Sequence, residues 1–398
     1  MSIVIKPLAQ EHFQQSMDLS SFAFQFPLTQ EQLNERSDSF INNDQLRLGV
    51  FEGEQLCAQA TLLHLHTYIG GKVFSMGGIA GVSTWPEHRR HGYVASLLSE
   101  LLIIMREQGQ SISMLHPFSF AFYRKFGWES FVDHKTIELS SEHLSAILKN
   151  AKQRKLSGKI VRLNDWEKLQ HVYNRYALRY NGMLQRSSEW WQTSVAKRKK
   201  GVYAAYENNE GVLEGYLIYE VTNRQMNIHE FICLTNQSEQ ALLNYIAQHD
   251  SMVHHVSWIT QKDDEILFNL DNPRAKQETV PYFMARIVDV ESFITQFPFL
   301  PSDSDEQFNI RIEDQHADWN NGSFLLTINR DGKAQIIKSS ERSTEEILIS
   351  IGALTAWLLY YQNWDTLVRF EKASGMDDVL KRLQRRIPAN RTYLTDFF

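Results

Sequence analysis

The stretch Val82-Ser83-Thr84-Trp85-Pro86-Glu87-His88-Arg89-Arg90-His91-Gly92-Tyr93 decides how this chain reads. It runs as a strand, a proline turn and a basic loop, and a helix follows. Val94, Leu97, Leu98, Leu101, Leu102 and Met105 recur at the spacing of one helical face. Two arginines and a glycine therefore stand where a helix begins. The first helical turn offers unpaired N–H groups and the positive end of its dipole. Gly92 lets an anion approach that backbone, and Arg89 and Arg90 bring charge suited to phosphate oxygens. His91 and Tyr93 belong to the same binding stretch. The loop is built for a phosphate or pyrophosphate.

Outward from that loop, Ile3 to Ile5 reads as a strand, and helices follow at Gln10 to Phe24 and Thr29 to Ser37. Leu46 to Phe51 and Leu56 to Tyr68 form a hairpin about the turn Glu52-Gly53-Glu54, and Phe74 to Thr84 leads into the basic loop. Met114 to Pro117 is a short strand, and Ser119 to Lys125 is a helical turn that Gly127 ends. A second, fainter round follows. Val202 to Glu207 and Leu213 to Val221 make a hairpin, Ile228 to Leu234 a strand, and Ser238 to Ala247 a helix. Its strand-to-helix junction, Thr235-Asn236-Gln237-Ser238, has neither arginine nor glycine. Beyond Met284, the segments Phe308 to Ile312, Gly322 to Ile328 and Lys333 to Lys338 alternate like strands, and Ser343 to Tyr361 reads as helical.

The order Arg89-x-x-Gly92 after a strand ending in Val82-Ser83-Thr84 resembles the coenzyme A loop of the GNAT acyltransferases. That family usually carries Gly or Ala where this chain has Val94, a departure that one branch tolerates: the enhanced intracellular survival (Eis) acetyltransferases. Ser119 to Trp128 resembles the second GNAT signature, Gly182 to Trp191 a stretch of the Eis central domain, and the last segment the sterol-carrier-protein-like domain that ends those proteins. The expected class is α+β, with tandem GNAT-like units followed by a sterol-carrier-like α/β domain. The divisions fall at 1–150 (catalytic), 151–285 (degenerate) and 286–398 (sterol-carrier-like). The second unit lacks the phosphate loop, so one cofactor site per chain is expected.

The resemblance implies acetyl transfer from acetyl-CoA to an amine, with the thioester arm along Val82-Ser83-Thr84 and Tyr123 as general acid. It also implies that the chain's own C-terminal carboxylate, on Phe398, is the base. Burial of Phe397 and Phe398 would raise that carboxylate toward neutrality. Asp396 is a second carboxylate suited to attract a cationic amine, and Phe22 and Phe24 suggest an aromatic wall for the acceptor. Aminoglycosides, polyamines and lysine side chains fall within the implied acceptor range, and a homo-oligomer, hexameric in relatives, is implied as the assembly.

Composition agrees. At about 150 residues per domain, 398 residues suit two or three domains. A net charge of -6 gives no reason to expect nucleic acid or an anionic membrane as partner. The basic run Lys197-Arg198-Lys199-Lys200 reads as a solvated helix end, and of Trp190-Trp191 one packs in a core while the other meets a domain interface. The two cysteines, Cys57 and Cys233, read as small core residues in a reducing, cytoplasmic setting. No apolar run approaches the ~20 residues of a membrane span, and Met1 to Lys6 reads as a short strand without the apolar core of a signal peptide. His88 and His91 are spaced for a metal, but Arg89 and Arg90 lie between them and no nearby carboxylate completes a set, so no metal is expected. The rival to an enzyme is an acyl-CoA sensor or apolar-ligand carrier without turnover, whose mark would be a closed apolar cavity within 286–398.

Overall fold

Five strands of the first unit lie side by side in the computed structural model, which describes residues 3–42, 44–151, 157–340 and 345–398. They are β1 (Ile3–Pro7), β2 (Gln45–Glu52), β3 (Gln55–Ile69), β4 (Lys72–Thr84) and β5 (Ile112–Leu115). Helices α1 (Phe13–Phe24) and α2 (Gln30–Asp38) separate β1 from β2, and α3 (Tyr93–Glu107) joins β4 to β5. The apolar stripe of α3 does what its spacing predicts: Leu97, Leu98, Leu101, Leu102 and Met105 are all fully buried against this sheet. The short helix α4 (Phe120–Arg124) follows β5.

After β6 (Glu129–Ser140) and α5 (Ser141–Ala151), the second unit repeats the order with β7 (Lys159–Leu163), β8 (Val202–Glu207), β9 (Leu213–Thr222), β10 (Gln225–Cys233), helix Asn236–Ala247 and β11 (His255–Gln261). In both units the first four strands pair antiparallel and the fourth pairs parallel with the fifth. The strand β12 (Lys276–Ile287) then pairs with β5, and β6 pairs with β11. Each unit's closing strand thus lies against the other unit. The result is one twelve-stranded sheet in the order β1-β2-β3-β4-β5-β12-β6-β11-β10-β9-β8-β7. The sheet therefore runs unbroken across the chain division near 150, and the division at 285 falls inside β12.

The last segment forms a separate five-stranded sheet. Its strands are β13 (Glu306–Glu313), β14 (Gly322–Ile328), β15 (Ala334–Lys338), β16 (Ile347–Ser350) and β17 (Ala373–Ser374), in the order β15-β14-β13-β16-β17. Its inner face, with Phe308, Ile310, Ile312, Phe324 and Leu326, packs in one core with Leu354, Trp357 and Leu383. The helix expected over Ser343 to Tyr361 is corrected here. Ser343 lies outside the described residues, Ile347–Ser350 is a strand, and the helix spans only Ile351–Leu358. Ile347 and Ile349 are buried while Leu348 is exposed, the two-residue period of a strand. Ser350 then caps the helix, its hydroxyl accepting the Ala353 N–H at 3.3 Å. Among the described residues no helix is long and apolar enough to cross a membrane.

Candidate active site

The parallel pairing of β4 with β5 ends at Ile79 and Leu115, yet β4 continues to Thr84. On the β5 side, among the described residues, the backbone of Ala80 to Thr84 has no strand partner, so the two strands open like a fork. Gly81, at φ 59°, sits within a shift of the β3–β4 register that bends β4 where the fork opens. An extended ligand can add itself to such an edge as a strand does. Val82, Ser83 and Thr84 all lie on it, with Ser83 buried and the other two half-buried.

Beyond the fork, Gly92 caps α3 in a left-handed conformation (φ 85°), and no side chain caps the helix. A Cβ there would meet nothing within 4 Å, so the N-terminus of α3 faces open space. Arg89, Arg90 and His91 are exposed around it, and Arg90 takes a left-handed conformation of its own (φ 68°). Exposed cations beside unpaired N–H groups make an anion-binding concavity. Tyr93, buried at the start of α3, donates to Glu52 at the end of β2, a bond that raises the phenol to about 12 and lowers the carboxyl. His88 Nδ1 lies 3.5 Å from the same carboxylate. A carboxylate therefore does join the two histidines, correcting the reading along the chain: ligand atoms of Glu52, His88 and His91 fall within 4.8 Å of one another. Glu52 comes from about forty residues upstream, where spacing along the loop does not reach.

Tyr123 arrives from the other arm of the fork. Ser119 caps α4, its hydroxyl accepting the Phe122 N–H at 3.3 Å, and Tyr123 turns into the core that holds Ile79 and Leu115. Its ring packs edge-on to Phe118 and Trp128, and burial pushes the phenol well above its ordinary value. Phe22 and Phe24 are about half exposed on α1, outside its core face of Ser16, Met17 and Leu19. Phe22 lies 5.1 Å from Trp85, next to the end of β4, whereas Phe24 has no such ring contact among the described residues.

The closing segment runs into the same region. Phe398 is 8% exposed, its ring 4.8 Å from Phe283 and 6.3 Å from Trp190. A Cβ at Gly78, one residue before the last β4–β5 pair, would stand 3.0 Å from that ring and from Leu65, so a larger residue would press one of them aside. Every residue leading to Phe398 is held. The Tyr393 N–H donates to the Asn181 carbonyl at 3.0 Å, and His134 Nε2 donates to the Leu394 carbonyl at 2.8 Å. Lys199 donates to the Thr395 carbonyl at 2.8 Å, and Tyr282 to the Asp396 carbonyl at 2.9 Å. Arg198 donates to the Phe397 carbonyl.

Asp396 differs from its expected part. It is 3% exposed, and Arg186 Nε donates to both its carboxylate oxygens at 3.0 Å. Trp190 Nε1 and the Tyr173 hydroxyl donate to it as well, at 2.9 and 3.3 Å. A carboxylate so committed has no charge left to attract an amine. The basic run is corrected too: Lys197 and Lys200 are exposed, but Arg198 and Lys199 grip the closing segment. Of the tryptophan pair, Trp191 is fully buried under Arg186 and Trp190 reaches the closing segment. Local reading also passed over His116. It sits just past the end of β5, its ring 5.0 Å from Phe397, and burial lowers its pKa.

Comparison with known proteins bears on the domains and the fold. Residues 4–131 and residues 182–287 each match an acetyltransferase (GNAT) domain, and residues 290–395 match a sterol carrier protein domain. An uncharacterized N-acetyltransferase of Streptomyces griseus is 23% identical over 278 residues, which span 64% of this chain and 67% of that one. N-acetyltransferase Eis of Mycobacterium tuberculosis is 23% identical over 245 residues, 59% of this chain and 60% of the relative. Among solved structures, a conserved protein of unknown function from Enterococcus faecalis V583, a probable N-acyltransferase, superposes over 100% of both chains with a TM-score of 0.91 and 27% identity. Eis1 from Mycobacterium abscessus shares the fold over 100% of both chains, with a TM-score of 0.81 at 17% identity.

Proposed function

Because this chain belongs to the GNAT acetyltransferases of the Eis-like build, two GNAT domains ahead of a sterol carrier protein domain, we propose that it moves an acetyl group from acetyl-CoA to a primary amine through one cofactor site per chain. The observation that carries this reading is the open fork of β4 and β5 beside the uncapped N-terminus of α3. Val82, Ser83 and Thr84 bind the pantetheine arm through their backbone. Arg89, Arg90, His91, Gly92 and Tyr93 surround the pyrophosphate. Acetyl-CoA supplies the acetyl thioester.

The amine nitrogen attacks the thioester carbon directly, so a carbon–nitrogen bond forms as the carbon–sulfur bond breaks. The carboxylate of Phe398 takes the proton the amine loses, and Tyr123 gives its phenolic proton to the departing sulfur. Burial keeps the phenol protonated at neutral pH, so the proton is there to give, while the same shift makes it a weaker acid that donates only as negative charge develops on the sulfur. Backbone N–H groups on the unpaired edge of β4 steady the oxygen that gains charge. The acceptor is an aminoglycoside, a polyamine or a lysine side chain, approaching past Phe22 and Phe24. We take 1–150 as the catalytic unit, 151–285 as the degenerate one and 286–398 as the sterol-carrier-like domain, in a cytoplasmic homohexamer that sedimentation velocity would test.

Thiol release from acetyl-CoA against an aminoglycoside, a polyamine and a lysine peptide tests the reading. Acceptor-dependent release is expected. Tight acetyl-CoA binding with no release for any amine would contradict it and favour an acyl-CoA sensor.

A further inference from the structure

The second unit keeps the fork of the first. Its parallel pairing ends at Ile228 and Trp258, and β10 continues from His229 to Cys233 paired with β9 but, among the described residues, with no strand on its β11 side. Glu230 lies on this stretch just past a shift in the β9–β10 register, which turns it to the opposite sheet face from Met226 and Ile228 and onto the face of the buried Ile232, and its side chain is fully buried. An ionised carboxylate there demands cations. Arg186 donates to both its oxygens, Lys199 lies 2.5 Å away, and the Tyr216 hydroxyl donates at 2.6 Å. Burial alone would raise the Glu230 carboxyl, but these cations hold it well below the usual range.

The other side of Arg186 faces the closing segment. Its Nε holds Asp396, its Nη2 donates to the Thr395 hydroxyl at 3.0 Å, and its guanidinium stacks 3.8 Å from the Tyr173 ring. Lys199 bridges in the same way, from Glu230 to the Thr395 carbonyl. Two buried cations and two buried carboxylates thus balance, and one carboxylate of the four groups comes from the closing segment. Tyr393 adds a direct tie, its hydroxyl donating at 3.1 Å to the carbonyl of Ile259, the β11 residue just past the last β10–β11 pair.

We infer that the fork of the second unit has become a clamp for the segment Tyr393–Phe398, with Arg186 as the positioning residue that links Glu230 to Asp396 and so sets Phe398 beside Gly78 in the first fork. This inference rests on the proposed role of the Phe398 carboxylate for its catalytic consequence, though not for the clamp itself. A charge-neutral network fits the geometry better than simple apolar docking, which would leave Asp396 without need of a buried guanidinium. The degenerate unit thereby gains a role of its own. One fork holds a cofactor, and the other holds the group that completes the site.

The test compares wild type with Arg186→Gln, Arg186→Lys and Asp396→Asn, each alone and with a short Gly-Ser extension after Phe398. Two readouts are used, steady-state kinetics and the rate at which carboxypeptidase A trims the unextended chain. For a folded Arg186→Gln protein we expect trimming at least about tenfold faster. We also expect kcat lower on the order of 10²-fold from misplacement of a reacting group, with the acetyl-CoA KM nearly unchanged. The extension should lower kcat no further in that variant, and Arg186→Lys should recover part of the loss. Should Arg186→Gln fail to fold, Asp396→Asn carries the same expectations, since it keeps the shape and removes the charge. Trimming as slow as wild type, or kcat losses that multiply with the extension, would overturn the clamp. A lengthened wild-type chain with full turnover would instead sink the terminal base, and the clamp would then stand or fall on the trimming rate alone.

Discussion

At the mouth of the first fork, Gly92 leaves the N-terminus of α3 without a side-chain cap, and Arg89, Arg90 and His91 surround it. At the mouth of the second, Thr235 caps helix Asn236–Ala247, its hydroxyl accepting the Ser238 N–H at 3.1 Å, while the Ser238 hydroxyl accepts from Thr235 N–H. Both helices follow the fourth strand of the same strand order. One keeps its backbone donors for an outside anion, and the other spends them on its own residues. The contrast continues beyond the fifth strand. Tyr123 follows β5, whereas a turn at Ile266–Asn269, with Phe268 exposed, follows β11. On the proposed reading, a duplicated fold separates into a half that binds and a half that holds, and the binding difference rests on a few residues at helix starts.

Four changes would break or sharpen this contrast. Tyr123→Phe removes the proposed proton donor from the first fork, and kcat should fall about 10²–10⁴-fold with the acetyl-CoA KM little changed. An unchanged kcat would remove Tyr123 from the chemistry. Arg89→Ala with Arg90→Ala should raise the acetyl-CoA KM on the order of 10²-fold, since two charge-assisted contacts are lost. Kinetics like wild type would mean that the anion binds elsewhere.

The holding half should carry a pH signature. Burial brings His134 down to about 4 while it donates to Leu394. Between there and the ordinary imidazole value near 6.5, the unfolded chain binds a proton that the folded chain does not, so stability falls as pH drops through that window, by up to about 3 kcal/mol. Thermal midpoints at pH 7.5 and pH 5 should show the loss in wild type, and His134→Gln should reduce it, leaving the share of the other histidines that burial lowers, His64, His116 and His229. An equal slope in both proteins would assign the effect to other groups. The smallest change belongs to the second helix start: Thr235→Ala should cost about 1 kcal/mol of stability through its lost cap and leave acetyl-CoA kinetics untouched. A shift in KM would show that the second junction does meet the cofactor.

These contrasts were unequally legible in the sequence. The first fork's loop could be read because its signals are local: a strand, two arginines, a glycine and a helical stripe within about two dozen residues. The duplication could be followed through its hairpins, but the exchange of β6 and β12 between units depends on pairings between distant segments. The clamp was hidden for the same reason, since Arg186 meets Glu230 across 44 positions and Asp396 across 210. One signal did exist. Glu230 interrupts the apolar alternation of Met226, Ile228 and Ile232, and a carboxylate on a strand's buried face needs a cation brought from elsewhere. Lys199 illustrates the opposite error, because a run of four basic residues reads as solvated until the fold buries one of them against that carboxylate.

The central claim is that only the first fork takes the cofactor, and calorimetric titration of the intact chain with acetyl-CoA tests it most directly. The account predicts one site per chain, lost or severely weakened by Arg89→Ala with Arg90→Ala and unaffected by Thr235→Ala. Two sites per chain, or one site indifferent to the arginine pair, would contradict it.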